Sequence, residues 1–187
     1  MAARTRNSLR IIGGAWRSRR IRFAQVPQIR PTPDRVRETL FNWLSDRITG
    51  ACCLDLFAGS GALGFEAASR GAGRVVMVDH DASVTAVLAE QKHMLEAGQV
   101  EIVQEDAMQY VGHAEQAFDI VFLDPPFGTG LLQQALPVLV ARRLVRTTGL
   151  VYVESPVQAA LPCPQSLSRV RGKTSGQVRH ELYSLES

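Results

Sequence analysis

Lysine is almost missing from this 187-residue chain, which has it only at Lys92 and Lys173 and takes its positive charge from arginine. Acidic residues are missing altogether from positions 1–30, where eight arginines stand: Arg4, Arg6, Arg10, Arg17, Arg19, Arg20, Arg22 and Arg30. Set against a net charge of +3, those eight leave residues 31–187 at −5. Apolar runs long enough to cross a bilayer are absent, and no charged-then-apolar leader opens the sequence, so a cytoplasmic location without a membrane partner is expected. Cysteine is scarce: Cys52, Cys53 and Cys163 are odd in number and lack metal-ligand spacing. His80, His93, His113 and His180 are scattered. The expectation is therefore a reducing compartment and no metal.

What is present begins with the arginine-rich start. Leu9, Ile11, Ile12, Trp16, Ile21 and Phe23 are interleaved with it, which a merely solvated tail does not need. A cationic arm on an acidic body suits a polyanion, and the tail remains the competing reading. Residues 1–8 read as frayed, and 9–12 and 19–23 as two short strands around Gly13-Gly14. Residues 1–30 thus form a basic arm or β-hairpin on a body of 31–187, and the fold is expected to survive deletion of residues 1–24.

Thr32-Pro33 reads as a helix start, a hydroxyl N-cap followed by proline at the first helical position. Val36, Leu40, Trp43 and Leu44 continue at helical spacing to about Ile48, with Arg35, Arg37 and Glu38 on the polar side. Strands at 52–57, 74–78, 101–104, 120–123 and 150–154 then alternate with helices at 61–70, 82–97, 107–116 and 130–143. That rhythm gives right-handed βαβ units and a parallel sheet covered on both faces. Polar alternation over 168–173 and 177–185 around a Gly turn adds an antiparallel hairpin. The expected fold is α/β and Rossmann-like: seven strands, mostly parallel, with a C-terminal antiparallel hairpin and a small N-terminal β-hairpin.

The chemistry gathers at the ends of these strands, where open α/β sheets keep their ligands. Gly59, Gly61 and Gly64 form G-x-G-x-x-G after the first parallel strand, and Asp79 ends the next, placed to accept ribose hydroxyls. Asp55, four residues before the first glycine, repels a pyrophosphate but favours an ammonium or sulfonium, as in S-adenosyl-L-methionine; a plain strand-end cap is the other reading. Asp106, with the Ala107 N–H, suits an adenine edge and equally an N-cap. Asp124-Pro125-Pro126-Phe127 follows the apolar run 118–123 and offers a carboxylate, two carbonyls without a competing N–H, and a ring. Such a set grips a planar base by an exocyclic amine; a proline-terminated strand is the bland alternative.

Taken together, these residues resemble the class I S-adenosylmethionine-dependent methyltransferases. More closely, the chain resembles the RsmD family of small-subunit ribosomal RNA guanine-N2 methyltransferases. The likeness lies in Arg10-Ile11-Ile12-Gly13-Gly14 with Trp16-Arg17, in 30–44 (RPTPDRVRETLFNWL), in 54–71 (LDLFAGSGALGFEAASRG), in Asp124–Phe127 and in 176–183 (GQVRHELY). It implies Asp55, Gly59 and Gly61 around the methionine part, Asp79 on the ribose and Asp106 on adenine, with Phe57, Ser60, His80, Ala107 and Asp124 completing the cofactor set. It implies that Asp124, Pro125, Pro126 and Phe127 hold the target guanine. The expected partner is 16S rRNA in the small ribosomal subunit, met by a monomer through Arg10, Arg17, Arg19, Arg20, Arg22, Arg35 and Arg37.

Three other readings compete. A DNA amino-methyltransferase uses the same base grip but needs sequence-reading residues that this length leaves no room for. A nicotinamide dehydrogenase lacks a placed proton-transfer His, Lys or Tyr. A non-catalytic assembly factor has no use for an intact Asp124–Phe127.

Overall fold

In a computed structural model that describes residues 7–27, 29, 31–161 and 163–186, the strand–helix alternation closes into one sheet. β1 (Ser8–Arg10) and β2 (Arg20–Arg22) form a separate antiparallel pair, followed by α1 (Asp34–Trp43). The parallel run comprises β3 (Cys52–Asp55), β4 (Arg74–Asp79), β5 (Val100–Gln104), β6 (Phe118–Leu123) and β7 (Val145–Pro156). It is connected by α2 (Ala62–Ser69), α3 (Ala82–Leu95), α4 (Ala107–His113) and α5 (Leu131–Ala141). The hairpin β8 (Leu167–Ser175) and β9 (Val178–Leu185) closes the order β5-β4-β3-β6-β7-β9-β8, antiparallel at its last two steps. The expected seven-stranded fold is the observed one. No helix among the described residues is long and apolar enough to cross a membrane.

The central strands are near-continuous apolar runs because both of their faces are covered. Cys53, Val75, Met77, Ile120, Phe122 and Tyr152 pack with α1, α2, α3 and the N-terminal hairpin. Their neighbours Leu54, Val76, Val78, Val121, Leu123 and Val153 pack with α4 and α5. Each fully buried aliphatic or Phe side chain contributes about 1.5–3 kcal/mol. The chain runs outward from β3 through β4 to β5, then returns to the other side of β3 with β6 and β7. This reversal opens a crevice at the C-terminal ends of β3 and β6, where Asp55 and Asp124 stand.

Residues 1–6 lie outside the described residues, so the frayed start is addressed only from Asn7 on, and Ser8 already belongs to β1. The basic segment is no loose arm. Leu9, Ile11 and Ile21 are buried in the core, and Glu66 of α2 accepts the backbone N–H groups of Ile12 and Gly13 at 2.8 Å each. Ser69 accepts the Trp16 N–H at 2.9 Å and donates to the Gly13 carbonyl at 2.6 Å. Gly14, at φ +76°, lies so close to α2 that a Cβ there would fall 1.8 Å from the Ser69 carbonyl oxygen. Removing residues 1–24 would uncover this core and strip donors from Glu66. Against the reading from sequence alone, we therefore expect that the fold does not survive their removal.

Two further expectations change around α1. Thr32 does not cap the helix: Pro33 holds the N-cap position without a side-chain cap, and the Thr32 hydroxyl donates to Asp124 Oδ2 at 3.3 Å. The helix stops at Trp43, short of Ile48, and a turn carries the chain on, with the Ile48 N–H on the Leu44 carbonyl. Arg37 is not on the polar side but fully buried. Its guanidinium donates to the Thr32 and Arg10 carbonyls (3.1 and 2.9 Å), to Asp34 (2.6 Å) and to Glu66 (3.4 Å). It has no path to a phosphate, so its expected role in RNA contact is withdrawn.

Removing one partner of a buried ion pair leaves an uncompensated charge and costs about 3–5 kcal/mol. Arg37→Leu is accordingly expected to lower the unfolding free energy by about that amount in urea titration, and Arg35→Leu, at an exposed position, by under about 0.5 kcal/mol. Equal losses in the two variants would contradict this reading of Arg37.

Candidate active site

Each strand tip carries its acid because the apolar strand ends there and the chain turns away from the sheet. Asp55, the last residue of β3, is 2% exposed and accepts the Gly64 N–H at 2.9 Å. Burial, joined by the charge of Asp79 and opposed by its backbone hydrogen bonds, pushes its carboxyl up to about 7. No basic side chain faces it among the described residues. A cation brought beside such a carboxyl would favour its charged form.

Between Asp55 and α2 the glycine loop turns at Gly61, which sits at φ +75° as the helix N-cap. The Gly59 N–H donates to Asp79 Oδ2 at 3.0 Å, and the Asp81 N–H to Oδ1 at 3.0 Å. These bonds clamp the loop to the tip of β4 and leave each Asp79 oxygen one lone pair for an incoming hydroxyl. Ser60 is buried with its hydroxyl on the Ala62 N–H, and Phe57 is half-buried against the α4–α5 side of the core. His80 is exposed, 3.7 Å from Asp79. Asp106 caps α4 by accepting the Met108 and Gln109 N–H groups through Oδ1 alone, so the capping reading is realised with one oxygen to spare. Ala107, the first residue of α4, is buried beside it.

Asp124 leaves the end of β6 half-buried. Its carboxyl is held well above the usual carboxylate range, first by burial and then by the negative charges of Glu154 and Asp55, against the Thr32 hydroxyl. Pro125 is buried, whereas Pro126 and Phe127 are exposed. Phe127 stands 48% open, one of the few large apolar side chains left to solvent. The Pro126 carbonyl accepts the Thr129 hydroxyl at 2.7 Å, which leaves the Pro125 carbonyl as the freer acceptor beside Asp124.

The fold thus brings Asp55, Asp79 and the glycine loop to one edge with Asp124 and Pro125. The arginines sit on the hairpin and α1, most of them already partnered. Arg10 pairs with Asp34, Arg19 donates to the Met94 carbonyl, Arg20 to Ser8, and Arg22 lies 3.7 Å from Glu90. Arg17 and Arg35 are exposed on the same hairpin and at the start of α1. Sequence reasoning missed Thr32, Tyr152, Glu154 and His180. Glu154 carried the same signal as the others, an acid ending a predicted strand; His180 arrives from a distant hairpin and carried none.

A family model described as "Conserved hypothetical protein 95" matches residues 9–184. Ribosomal RNA small subunit methyltransferase D from Escherichia coli strain K12 is 44% identical over 180 residues, covering 96% of this chain and 91% of the relative. The chain belongs to the RsmD family. The Haemophilus influenzae member, also named ribosomal RNA small subunit methyltransferase D, is 38% identical over 95% of this chain and 94% of its own. The solved structure of yhhF from Escherichia coli superposes with a TM-score of 0.88 at 43% identity, covering 96% of this chain and 99% of that one. RsmD membership therefore spans the hairpin, the glycine loop and the hairpin β8–β9 together.

An Asp55 that titrates near 7 must lose its proton to hold a cation. Affinity for S-adenosylhomocysteine, measured by calorimetry, is expected to weaken as pH falls from 8 to 6, approaching tenfold per unit below the midpoint. Asp55→Asn is expected to bind more weakly and without that dependence. Parallel pH profiles for the two proteins would contradict the role given to Asp55.

Proposed function

We propose that the protein transfers a methyl group from S-adenosylmethionine to the exocyclic N2 amine of a guanine in small-subunit ribosomal RNA. One observation carries the reading: a half-buried carboxylate and a free proline carbonyl stand at the same sheet edge as a buried, cation-free carboxylate and a glycine loop. Family membership supports methylation of small-subunit rRNA, since the relatives are named for it. The donor and the target atom are the finer steps proposed.

The residues present fit such a donor. Asp55 suits the methionine ammonium, Asp79 the ribose, Asp106 and the Ala107 N–H the adenine, and Gly59, Gly61, Phe57, Ser60 and His80 line the same loops. When bound, that cofactor supplies a methyl already activated on a positively charged sulfur. The protein's own task is positioning, which supplies roughly 7–11 kcal/mol of a barrier when reacting atoms are held in line. Asp124 and the Pro125 carbonyl each accept one N–H of the amine. Those bonds draw its lone pair out of conjugation with the ring and aim it along the acceptor direction. The Asp124 carboxylate then takes the proton that nitrogen releases. Phe127, exposed in the free protein, stacks on the base at a gain of about 1–3 kcal/mol. The guanine must leave its own stack to reach these groups, which is cheapest in an RNA loop.

The exposed Arg10, Arg17, Arg19, Arg20, Arg22 and Arg35 hold the flanking phosphates. Replacing Arg17 and Arg20 together by alanine is expected to weaken RNA binding and to make log affinity fall less steeply with log salt, by about one unit of slope for each phosphate no longer neutralised. An unchanged slope would remove them from the interface.

The function itself is tested by Asp124→Ala with radiolabelled cofactor and small subunits as substrate. Methyl transfer is expected to vanish while affinity for S-adenosylhomocysteine stays within a few-fold. Near-normal turnover would overturn the assignment.

A further inference from the structure

Methyl transfer by these residues leaves the buried carboxyl of Glu154 without a task. Glu154 of β7 is 5% exposed and has no arginine or lysine partner among the described residues. Its Oε1 accepts the Tyr152 hydroxyl at 2.9 Å, and its Oε2 lies 3.4 Å from His180 Nδ1. That nitrogen is also 3.0 Å from the Tyr152 hydroxyl. Tyr152 and His180 are themselves buried.

Sheet register aims this array at the active site. Leu123 pairs with Val153, so Asp124 and Glu154 step off adjacent parallel strands side by side. Glu154 pairs in turn with His180, and His180 with Lys173 at the sheet's edge strand. Alternation puts all four on the face that carries Phe122 and Tyr152, the face covered by α1. The groups bearing on Asp124 are therefore Asp55 from β3, Glu154 and Tyr152 from β7, and the uncharged Thr32 ahead of α1. His180 and Lys173 lie further along the row, lining a small cavity with Trp43 of α1. Arg37 of α1 is turned onto Glu66 and does not join it.

We propose, on the functional reading just given, that Glu154, held by Tyr152 and His180, is a positioning residue for methyl transfer and governs the charge Asp124 carries when the amine docks. A carboxyl set beside other acids in a poorly solvated crevice resists ionising. Glu154 has an anchored hydroxyl and an imidazole to stabilise its charge, whereas Asp124 has one hydroxyl at 3.3 Å. In the free protein, burial and the neighbouring charges of Glu154 and Asp55 hold the Asp124 carboxyl toward its protonated form. A docking amine offers Asp124 N–H donors that favour its carboxylate, and the proton it held leaves to solvent. On methylation N2 gives up one proton, and the Asp124 carboxylate takes it; nothing else is gained or lost.

A negative neighbour raises the pH at which Asp124 ionises, so Glu154→Gln lowers it, and Glu154→Asp, which keeps the charge, does not. Carbon-13 carboxyl titration of Asp124 in the cofactor-free protein is expected to show a midpoint about one pH unit or more lower in Glu154→Gln than in wild type or Glu154→Asp. Tyr152→Phe, which removes one donor from the Glu154 anion, shifts it the same way and stands in should the glutamine variant not fold. The acid limb of kcat/KM for rRNA methylation is expected to move with the midpoint, while S-adenosylhomocysteine affinity stays within about twofold. An unmoved Asp124 midpoint, or a moved midpoint with an unmoved limb, overturns the role of Glu154. A wild-type protein that methylates no guanine overturns the functional reading instead, and the titration, which needs no activity, tells the two failures apart.

Discussion

Everything at the sheet edge hangs on a carboxylate that never reaches it. Glu66, in the middle of the fully buried helix α2, collects the N–H groups of Ile12 and Gly13, the Arg70 side chain at 2.8 Å and the Arg37 guanidinium. The first two lock the N-terminal hairpin onto α2. The last passes the constraint on, because Arg37 also holds the Thr32 carbonyl, and Thr32 in turn donates its hydroxyl to Asp124. A buried ion pair is weak as a source of net stability and better understood as fixing one geometry among several. Here that geometry joins the hairpin, the start of α1 and Asp124 into a single support.

The active-site carboxyls are built on the opposite principle. Glu66 is surrounded by donors, whereas Asp55 and Asp124 are desolvated with few, and both are pushed above the usual range. For a carboxyl raised in this way, the stability it contributes is present at low pH and is lost as pH rises through its folded midpoint, about 7 for Asp55. The folded protein thus tolerates anions that only a cation and an amine relieve. That tension makes the crevice receptive to charged ligands that the rest of the acidic body would merely attract.

Much of this was legible in the sequence, for reasons that are physical. Strand tips announce themselves because an apolar run covered on both faces must stop where an acid or a proline stands, as at Asp55, Asp79 and Asp124. The switch point follows once five strands alternate with helices. Arg37 was misread because its charge outweighed its place: Leu40 and Phe41, three and four residues on, are the buried face of α1, and an arginine between them and Glu66 is inside. Thr32 looked like a cap, since nothing local reveals an acceptor 92 residues away. Likewise Tyr152 and Glu154 meet His180 only through the antiparallel pairing of β7 with β9.

The proposed function stands or falls on whether the methylated amine is the N2 of guanine. Small subunits from a strain lacking this protein, incubated with it and with methyl-labelled S-adenosylmethionine, are digested to nucleosides and separated. The account predicts label in N2-methylguanosine alone, at a single position of the small-subunit rRNA. Label in a methylated adenosine or cytidine, or no label in RNA at all, would contradict it.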